Sequence, residues 1–455
     1  MNARSEFSAA FASLKIPNYK ILWWGGVFSF MSVQMQFLLR GILAWDLTER
    51  EGALGLVYFV FGMSMLVATP LGGVAADRFP RRTVLLVSQG ALAIGAALMG
   101  LAVITDTIEF WMVLVAGAIQ GISFGFYGPA RVAFAADLVG RDQLGNAITL
   151  SLLSMSATRI FAPSLAGVLA GVAFVGIGGA YLLSAAFSAA SFISVLRLPT
   201  IAIKSPSKRN PLLDIAEGVR YVRKDRSLRL LVVTSFFVIM FGFNYVAFMP
   251  AMIKDIFDLG DSWLGIISSA SAFGAVAVSI PLASRADSPK AKRVMALGGV
   301  GFGGFVILLG LAPSFWSAFA VVFFIGAFTT TYQSLSNTLA LQMSDNLHQG
   351  RVQSLMQLSF AGFGIASAPL GILAEAIGLR QAFMVMGAVA LGASVIYFLT
   401  DVFGKPEGAG RVHPLTEDSP THEVEPAPAP VAVQPEDADE AIAPSVRPEQ
   451  EVTIE

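Results

Sequence analysis

Gly73-Val74-Ala75-Ala76-Asp77-Arg78-Phe79-Pro80-Arg81-Arg82 is the stretch on which the reading of this 455-residue chain turns. A long apolar run ends there in a glycine, an aspartate and three arginines, and another begins immediately afterwards. A spanning helix needs about 20 mostly apolar residues, and the runs on both sides reach that length. A tight, strongly charged turn between two such runs reads as a chain that crosses a bilayer, reverses at its surface and crosses again.

Composition agrees. The chain is 55% hydrophobic and 13% charged, with mean hydropathy +0.68. Soluble domains carry about 25% charged residues, so the deficit sets the class. Cysteine is absent, which excludes disulfides, thiolate metal sites and cysteine nucleophiles. The three histidines, His348, His413 and His422, are too scattered for a metal cluster, so neither metal nor cofactor is expected. Gly299-x-Gly301-x-x-Gly304 matches a dinucleotide fingerprint but lies inside an apolar run with no preceding strand. No phosphate-binding Gly-x-x-x-x-Gly-Lys-Ser/Thr loop occurs. The expectation is a non-enzyme with no nucleic-acid partner.

Twelve runs qualify as spans: 20–45, 53–75, 82–104, 110–135, 144–173, 176–196, 226–253, 262–284, 293–312, 315–342, 351–375 and 379–400. The first continues too far, and lacks an Ala-x-Ala exit, for a cleavable signal peptide. Charge sorts the connections into two sets. One holds Arg78, Arg81 and Arg82, then Arg131 and Arg141, then Arg197 through Arg229, then Arg285, Lys290, Lys292 and Arg293. The other is short and acidic: Asp46, Glu49 and Glu51, then Asp106 and Glu109, then Asp255, Asp258 and Asp261. Basic loops face the cytoplasm. The sets alternate correctly for twelve spans in an inner or plasma membrane, with both termini inside.

This reading divides the chain into a segment 1–19, a six-helix bundle 20–196, a linker 197–225, a second bundle 226–401 and a tail 402–455. In the linker, Leu212, Leu213, Ile215, Ala216, Val219 and Val222 recur near helical spacing among charges, as in an amphipathic helix on the inner membrane surface. The tail is Pro/Ala-rich and acidic and carries too little apolar content for a core. Without it the chain holds 27 Lys and Arg against 19 Asp and Glu, a net +8, where the whole chain has 30 against 31. The halves echo each other: Ala162-Pro163 against Ala368-Pro369, Arg141-Asp142 against His348–Arg351, and the 73–82 loop against 284–290. Internal repeats at a common offset mark secondary transporters.

The loop resembles the signature Gly-x-x-x-Asp-Arg-x-Gly-Arg-Arg of the major facilitator superfamily, with Pro80 where the family has glycine. The resemblance implies an all-α fold of twelve transmembrane helices in two pseudo-symmetric bundles and transport by alternating access. It also implies a cytoplasmic gate built from Gly73, Asp77, Arg78, Arg81 and Arg82, with Asp137 as a partner. Gly73 is expected to let two helices approach closely. The alternative is that the arginines merely fix topology. Pro129-Ala130-Arg131, Asn146-Ala147 and Arg159-Ile160-Phe161-Ala162-Pro163 are similar to drug and siderophore exporters near the enterobactin exporter. Pro163 and Gly167 stand where antiporters carry a Gly-Pro element, here Ala-Pro.

Polar groups inside spans are candidates for a substrate cavity, because lipid penalises them. In the first half these are Gln36, Arg40, Gln120, Tyr127 and Arg159; in the second, Asn244, Tyr245, Tyr332, Gln333, Asn337 and Gln357. Arg40 either snorkels to the outer surface, attracts an anionic substrate or forms a structural pair. Arg159 has the same choices, and each of the others either lines the cavity or makes a helix–helix hydrogen bond. No acidic residue lies mid-span, so a proton-coupled cycle has to use Asp46, Glu375, Asp77 or Asp137, or a shift in an arginine pair. The expectation is a monomeric, proton-coupled exporter of amphipathic drug-like compounds or siderophores, working in the lipid bilayer. Uptake of a small metabolite, lysolipid transport, or a scaffold acting through the tail are the alternatives.

Overall fold

A computed structural model describes residues 12–140, 143–201, 211–283, 288, 290–345 and 348–402; at some helical positions, Gln357 among them, the side chain is outside the described set. The regular structure among the described residues is all helical, with no strand among them. Helices α1 to α6 are Pro17–Thr48, Glu51–Arg78, Arg81–Ile104, Phe110–Val139, Leu144–Ala170 and Gly176–Leu196. Linker helix α7 is Pro211–Lys224. The second set follows as α8 (Arg226–Ile256), α9 (Asp261–Ala283), α10 (Ala291–Gly310), α11 (Phe315–Gln342), α12 (Gln349–Ile377) and α13 (Leu379–Tyr397).

Eleven of these helices are long and apolar enough to cross a membrane. The remaining span, α12, has 29 residues, of which Ala361–Ile377 forms its apolar part. The side chains at 350, 354, 357, 358 and 360 lie outside the described residues, so the described apolar stretch begins at Ala361. Large apolar side chains such as Val67, Val87, Ile94, Leu98 and Phe273 are exposed on the helix surfaces, where lipid would cover them.

Local chemistry sets the helix ends. Phe79 precedes a proline, and the proline ring disfavours the helical conformation there. Phe79 is accordingly extended (φ −111°, ψ 152°), and α2 stops at Arg78. The Pro80 carbonyl then accepts from Thr83 and Val84, so α3 starts at once. Between α12 and α13 the reversal is made at Gly378 (φ +91°), in the left-handed half of backbone space that glycine enters freely.

Packing repeats itself between the halves. Helices α3 and α6 cross at Gly100 and Gly178, and α10 and α13 cross at Gly303 and Gly387. A Cβ on Gly387 would stand 2.6 Å from the Gly303 carbonyl oxygen, so neither position has room for a side chain. Helices α2 and α4 cross at Gly72, Gly121 and Gly125, and α9 and α11 at Gly274 and Gly326. The third span meets the sixth and the second meets the fourth in each half, which is the pseudo-symmetry of the fold.

Two further crossings join the first six helices to the last six. Helix α2 meets α12 where Gly62 faces Gly364; a Cβ on Gly62 would be 2.5 Å from the Gly364 Cα. Helix α5 meets α9 where Gly167 faces Gly265. Both contacts lie in the half of the helices nearer the acidic connections.

Helix α8 is irregular. It runs as an α-helix to Phe237, widens to a π-turn at Val238–Gly242, tightens over Phe243–Val246 and widens again at Met252–Ile256. Pro250, which has no N–H to donate, lies within this stretch. Discontinuous spans of this kind recur beside the binding sites of transporters.

Candidate functional site

At the arginine-rich face, the loop residues take separate tasks. Arg81 donates to the Asp137 carboxylate and to the Ala133 carbonyl (3.2 Å), tying α3 to α4. Arg82 instead reaches the end of α6, donating to the carbonyls of Val195 (3.3 Å) and Leu196 (2.6 Å) and to the Thr200 hydroxyl (2.9 Å). A cation there satisfies carbonyls left over at a helix C-terminus and complements its dipole. Among the described residues Asp77 and Arg78 have no hydrogen-bond or ion-pair partner, and Arg78 is exposed.

One expectation for this loop needs correcting. A Cβ on Gly73 would meet nothing within 4 Å, so Gly73 does not mediate a close helix contact. Its neighbour Gly72 does, facing the Gly125 carbonyl of α4. Adjacent helical residues point about 100° apart, so a one-residue error in phase moves the contact to the wrong glycine.

Linker helix α7 is tied to the start of α12. Arg351 pairs with Glu217 at 2.6 Å. The Tyr221 and His348 rings stack at 4.0 Å and 6°, and the Asp345 N–H donates to the Tyr221 hydroxyl at 3.1 Å. The loop copy at 284–290 lies largely outside the described residues, as do Arg141, Asp142 and the tail from 403 onward.

Of the polar residues expected in the spans, Arg159, Gln333 and Asn337 are partly accessible. Arg159 on α5 donates to Gln333 on α11 at 3.1 Å, a contact between the two halves. Asn337 donates to the Gln333 carbonyl at 2.9 Å. The other described candidates are buried. Gln36 donates to Ser32 (2.8 Å), and Tyr127 meets Phe30 edge-on. Tyr332 donates to Ser235 (3.2 Å), and Tyr245 packs against Phe243 and Phe302. Asn244, fully buried in the irregular part of α8, donates to the Phe363 carbonyl and accepts from Ser367, bracketing α8 to α12. Pro163 is partly buried on α5, one turn before the Gly167 contact. The Gln357 side chain lies outside the described residues.

Arg40 is 2% exposed, so it does not snorkel to the surface. Its Nη1 donates to Gln120 Oε1 at 2.6 Å, and Gln120 in turn donates to the Val33 carbonyl at 3.0 Å. The rings of Phe61, Tyr58 and Phe37 surround the guanidinium at 5.1, 5.7 and 5.9 Å from their centroids. Phe37 and Tyr58 also touch Phe363 of α12, at 5.8 and 5.9 Å, and Phe363 touches Phe243 of α8. These rings form an aromatic plug between the halves.

Beyond the plug, at the acidic face, ion pairs cross the same seam. Lys254 of α8 pairs with Asp46 of α1 and, at 2.5 Å, with Asp261 of α9. Arg50, just before α2, pairs with Glu375 of α12 at 3.1 Å, and Glu375 also accepts from the Gly52 N–H. Glycine contacts, plug and ion pairs together shut the acidic face.

Residues 8–436 match the transmembrane secretion effector family. The chain belongs to that family, within the major facilitator superfamily. The chain is 24% identical over 327 residues to the enterobactin exporter of Shigella flexneri, covering 71% of this chain and 77% of that one. It is 23% identical over 326 residues to the enterobactin exporter of Escherichia coli O1:K1, with the same coverage. Its fold superposes on the nucleoside transporter NupG with TM-score 0.67 at 12% identity, covering 84% of this chain and 98% of that one. A bacterial homologue of the human lysosomal transporter Spinster gives 0.67 at 16% identity, covering 84% and 97%. The protein is therefore a multi-pass membrane transporter of small molecules and not an enzyme.

The Lys254 cluster and the Tyr221–His348 stack were not singled out from sequence. A signal for the first existed: Lys254 is a lone cation among Asp255, Asp258 and Asp261. The stack joins residues 127 apart in sequence and left no local trace.

Proposed function

We propose that this transporter exports amphipathic drug-like compounds or siderophores from the cytoplasm by exchange for protons. The likeness to enterobactin exporters over most of the chain carries the direction. The arginine-rich loops face the cytoplasm by the charge rule, which puts both termini inside and the sealed acidic face outside a bacterial inner membrane. One copy of the chain makes the whole pathway. Bundles 20–196 and 226–401 rock about the linker 197–225, while segment 1–19 and tail 402–455 stay in the cytoplasm. The Arg159–Gln333 contact marks the central site. The loop at 73–82 acts as the inner gate, with Asp77 free to engage the second half when the inner side closes. Asp46 and Glu375 carry the coupling: each is held in an ion pair across the outer seam, so protonation would release the latch.

Everted membrane vesicles expressing the protein test this reading. A fluorescent amphipathic compound should be taken up when respiration energises the vesicles and be released when the proton gradient is collapsed. Uptake that ignores the gradient removes proton exchange; uptake only into right-side-out vesicles removes export. Asp77→Asn should slow transport in a protein that still folds, and full activity would remove the inner gate.

A further inference from the structure

Among the described residues no carboxylate pairs with the Arg40 guanidinium. Its Nε and Nη2 are buried and without a hydrogen-bond partner. Tyr181 of α6, 1% exposed, also has an unpartnered hydroxyl and lies in the same buried cluster as Tyr58, one of the rings around Arg40. Orphaned buried polar groups are uncommon, and each requires a reason. A guanidinium cannot escape by losing its proton. No Asp or Glu lies in the middle of any span. The aromatic rings around Arg40 soften its charge, but they supply no oxygen in line with Nε or Nη2. The Tyr58 hydroxyl is already committed to the Phe37 carbonyl at 3.0 Å.

The unsatisfied groups are thus two guanidinium donors and a hydroxyl that can donate. What is missing is an acceptor, and beside an uncompensated cation the acceptor with most to gain is an anion. We propose that Arg40 and Tyr181 form an anion-binding subsite for a singly charged group. Gln120 holds one edge of the guanidinium, leaving the other for the anion. The collar of Phe37, Tyr58 and Phe61 suits an anion borne on an apolar or aromatic body. Phe363 closes the site from the second half, so entry is coupled to separation of the plug. This rests on the export reading for its source: the anion is a carboxylate or similar group of the exported compound, and an inorganic anion such as chloride offers the same chemistry.

The test uses the purified full chain in detergent, with ionic strength held by sodium sulfate, and reads the unfolding temperature. The probes are sodium 1-naphthoate, its neutral counterpart 1-naphthamide, and sodium chloride. A ligand that binds only the folded state at a hundredfold excess over its Kd should raise the midpoint by about 3 °C for a chain of this size. Naphthoate should do so in the wild type and not in Arg40→Gln, while naphthamide does neither. The same pattern with chloride in place of naphthoate supports the site and assigns it an inorganic anion. Tyr181→Phe, which removes only the orphan hydroxyl, should fold as the wild type and show a smaller anion-dependent rise. The proposal is overturned if neither anion raises the wild-type midpoint, or if Arg40→Gln and Tyr181→Phe respond as fully as the wild type. Binding is read without a gradient, so its failure leaves the vesicle result standing. Absence of export equally leaves the binding result standing.

Discussion

Lys254→Met should tip the transporter toward the state open at its acidic face. Lys254 holds two carboxylates, but only its pair with Asp46 crosses between the halves; Asp261 lies in its own half. Opening therefore breaks one pair and keeps the other. An exposed ion pair is worth about 0–1 kcal/mol, and a hydrogen bond to a charged group about 1.5–3. The Lys254 and Asp261 side chains are each 17% exposed and Asp46 33%, which places this pair between those limits, at about 1.5 kcal/mol. That is about a tenfold change in the ratio of open to shut molecules. The substitution also leaves Asp46 and Asp261 facing each other unneutralised, which pushes in the same direction. The chain has no cysteine, so spin labels at Thr107→Cys and Leu311→Cys report the separation of the two halves at this face without background. Pulsed electron–electron resonance should show a longer-distance population about ten times larger, relative to the short one, in Lys254→Met. Asp46→Asn should act likewise, and combining the two should add little, because both remove the same cross-seam contact. An unchanged distance distribution in a folded Lys254→Met protein would refute the reasoning.

Gly72→Ala should destabilise the protein by about 1–3 kcal/mol, since its Cβ would strike the α4 backbone, whereas Gly73→Ala should leave the unfolding temperature unchanged; equal effects would contradict the assigned helical phase. Arg82→Gln should cost about 1–3 kcal/mol by leaving the α6 carbonyls without their cation, and scanning calorimetry should see that loss before any transport defect. Tyr221→Ala combined with Arg351→Gln should loosen α7 from α12, so hydrogen exchange should quicken across Pro211–Lys224 while the spans keep their protection.

The fold was legible because a bilayer demands so much of a sequence. Each span must be long and apolar, and the structure puts helices over all twelve expected runs, with ends that shift by a few residues either way, as at 144–173, where the helix stops at Ala170. Even the sharp turn at Phe79-Pro80 followed from proline's effect on its neighbour. Side-chain contacts were less legible, because they depend on helix phase and on partners distant in sequence. Gly73 was expected at a contact that Gly72 makes. Asn244 carried two readings from sequence, and its place against Phe363 and Ser367 depends on an irregular α8 that no local pattern announces. Arg40 was conspicuous as an arginine in a span, but a sequence does not record which oxygens fail to reach it.

The seam between the halves is lined at its closest points by glycine: Gly62 faces Gly364, Gly167 faces Gly265, and Gly55 meets the Ser367 carbonyl. Interlocked side chains would have to withdraw one by one, each changing rotamer, before two such surfaces could part. Bare backbone has nothing to disengage. Parting here costs little friction, so the time spent in each state is governed by the charges and rings beside the seam. The scaffold supplies a nearly smooth bearing, and a few side chains at its acidic end set the pace of the cycle.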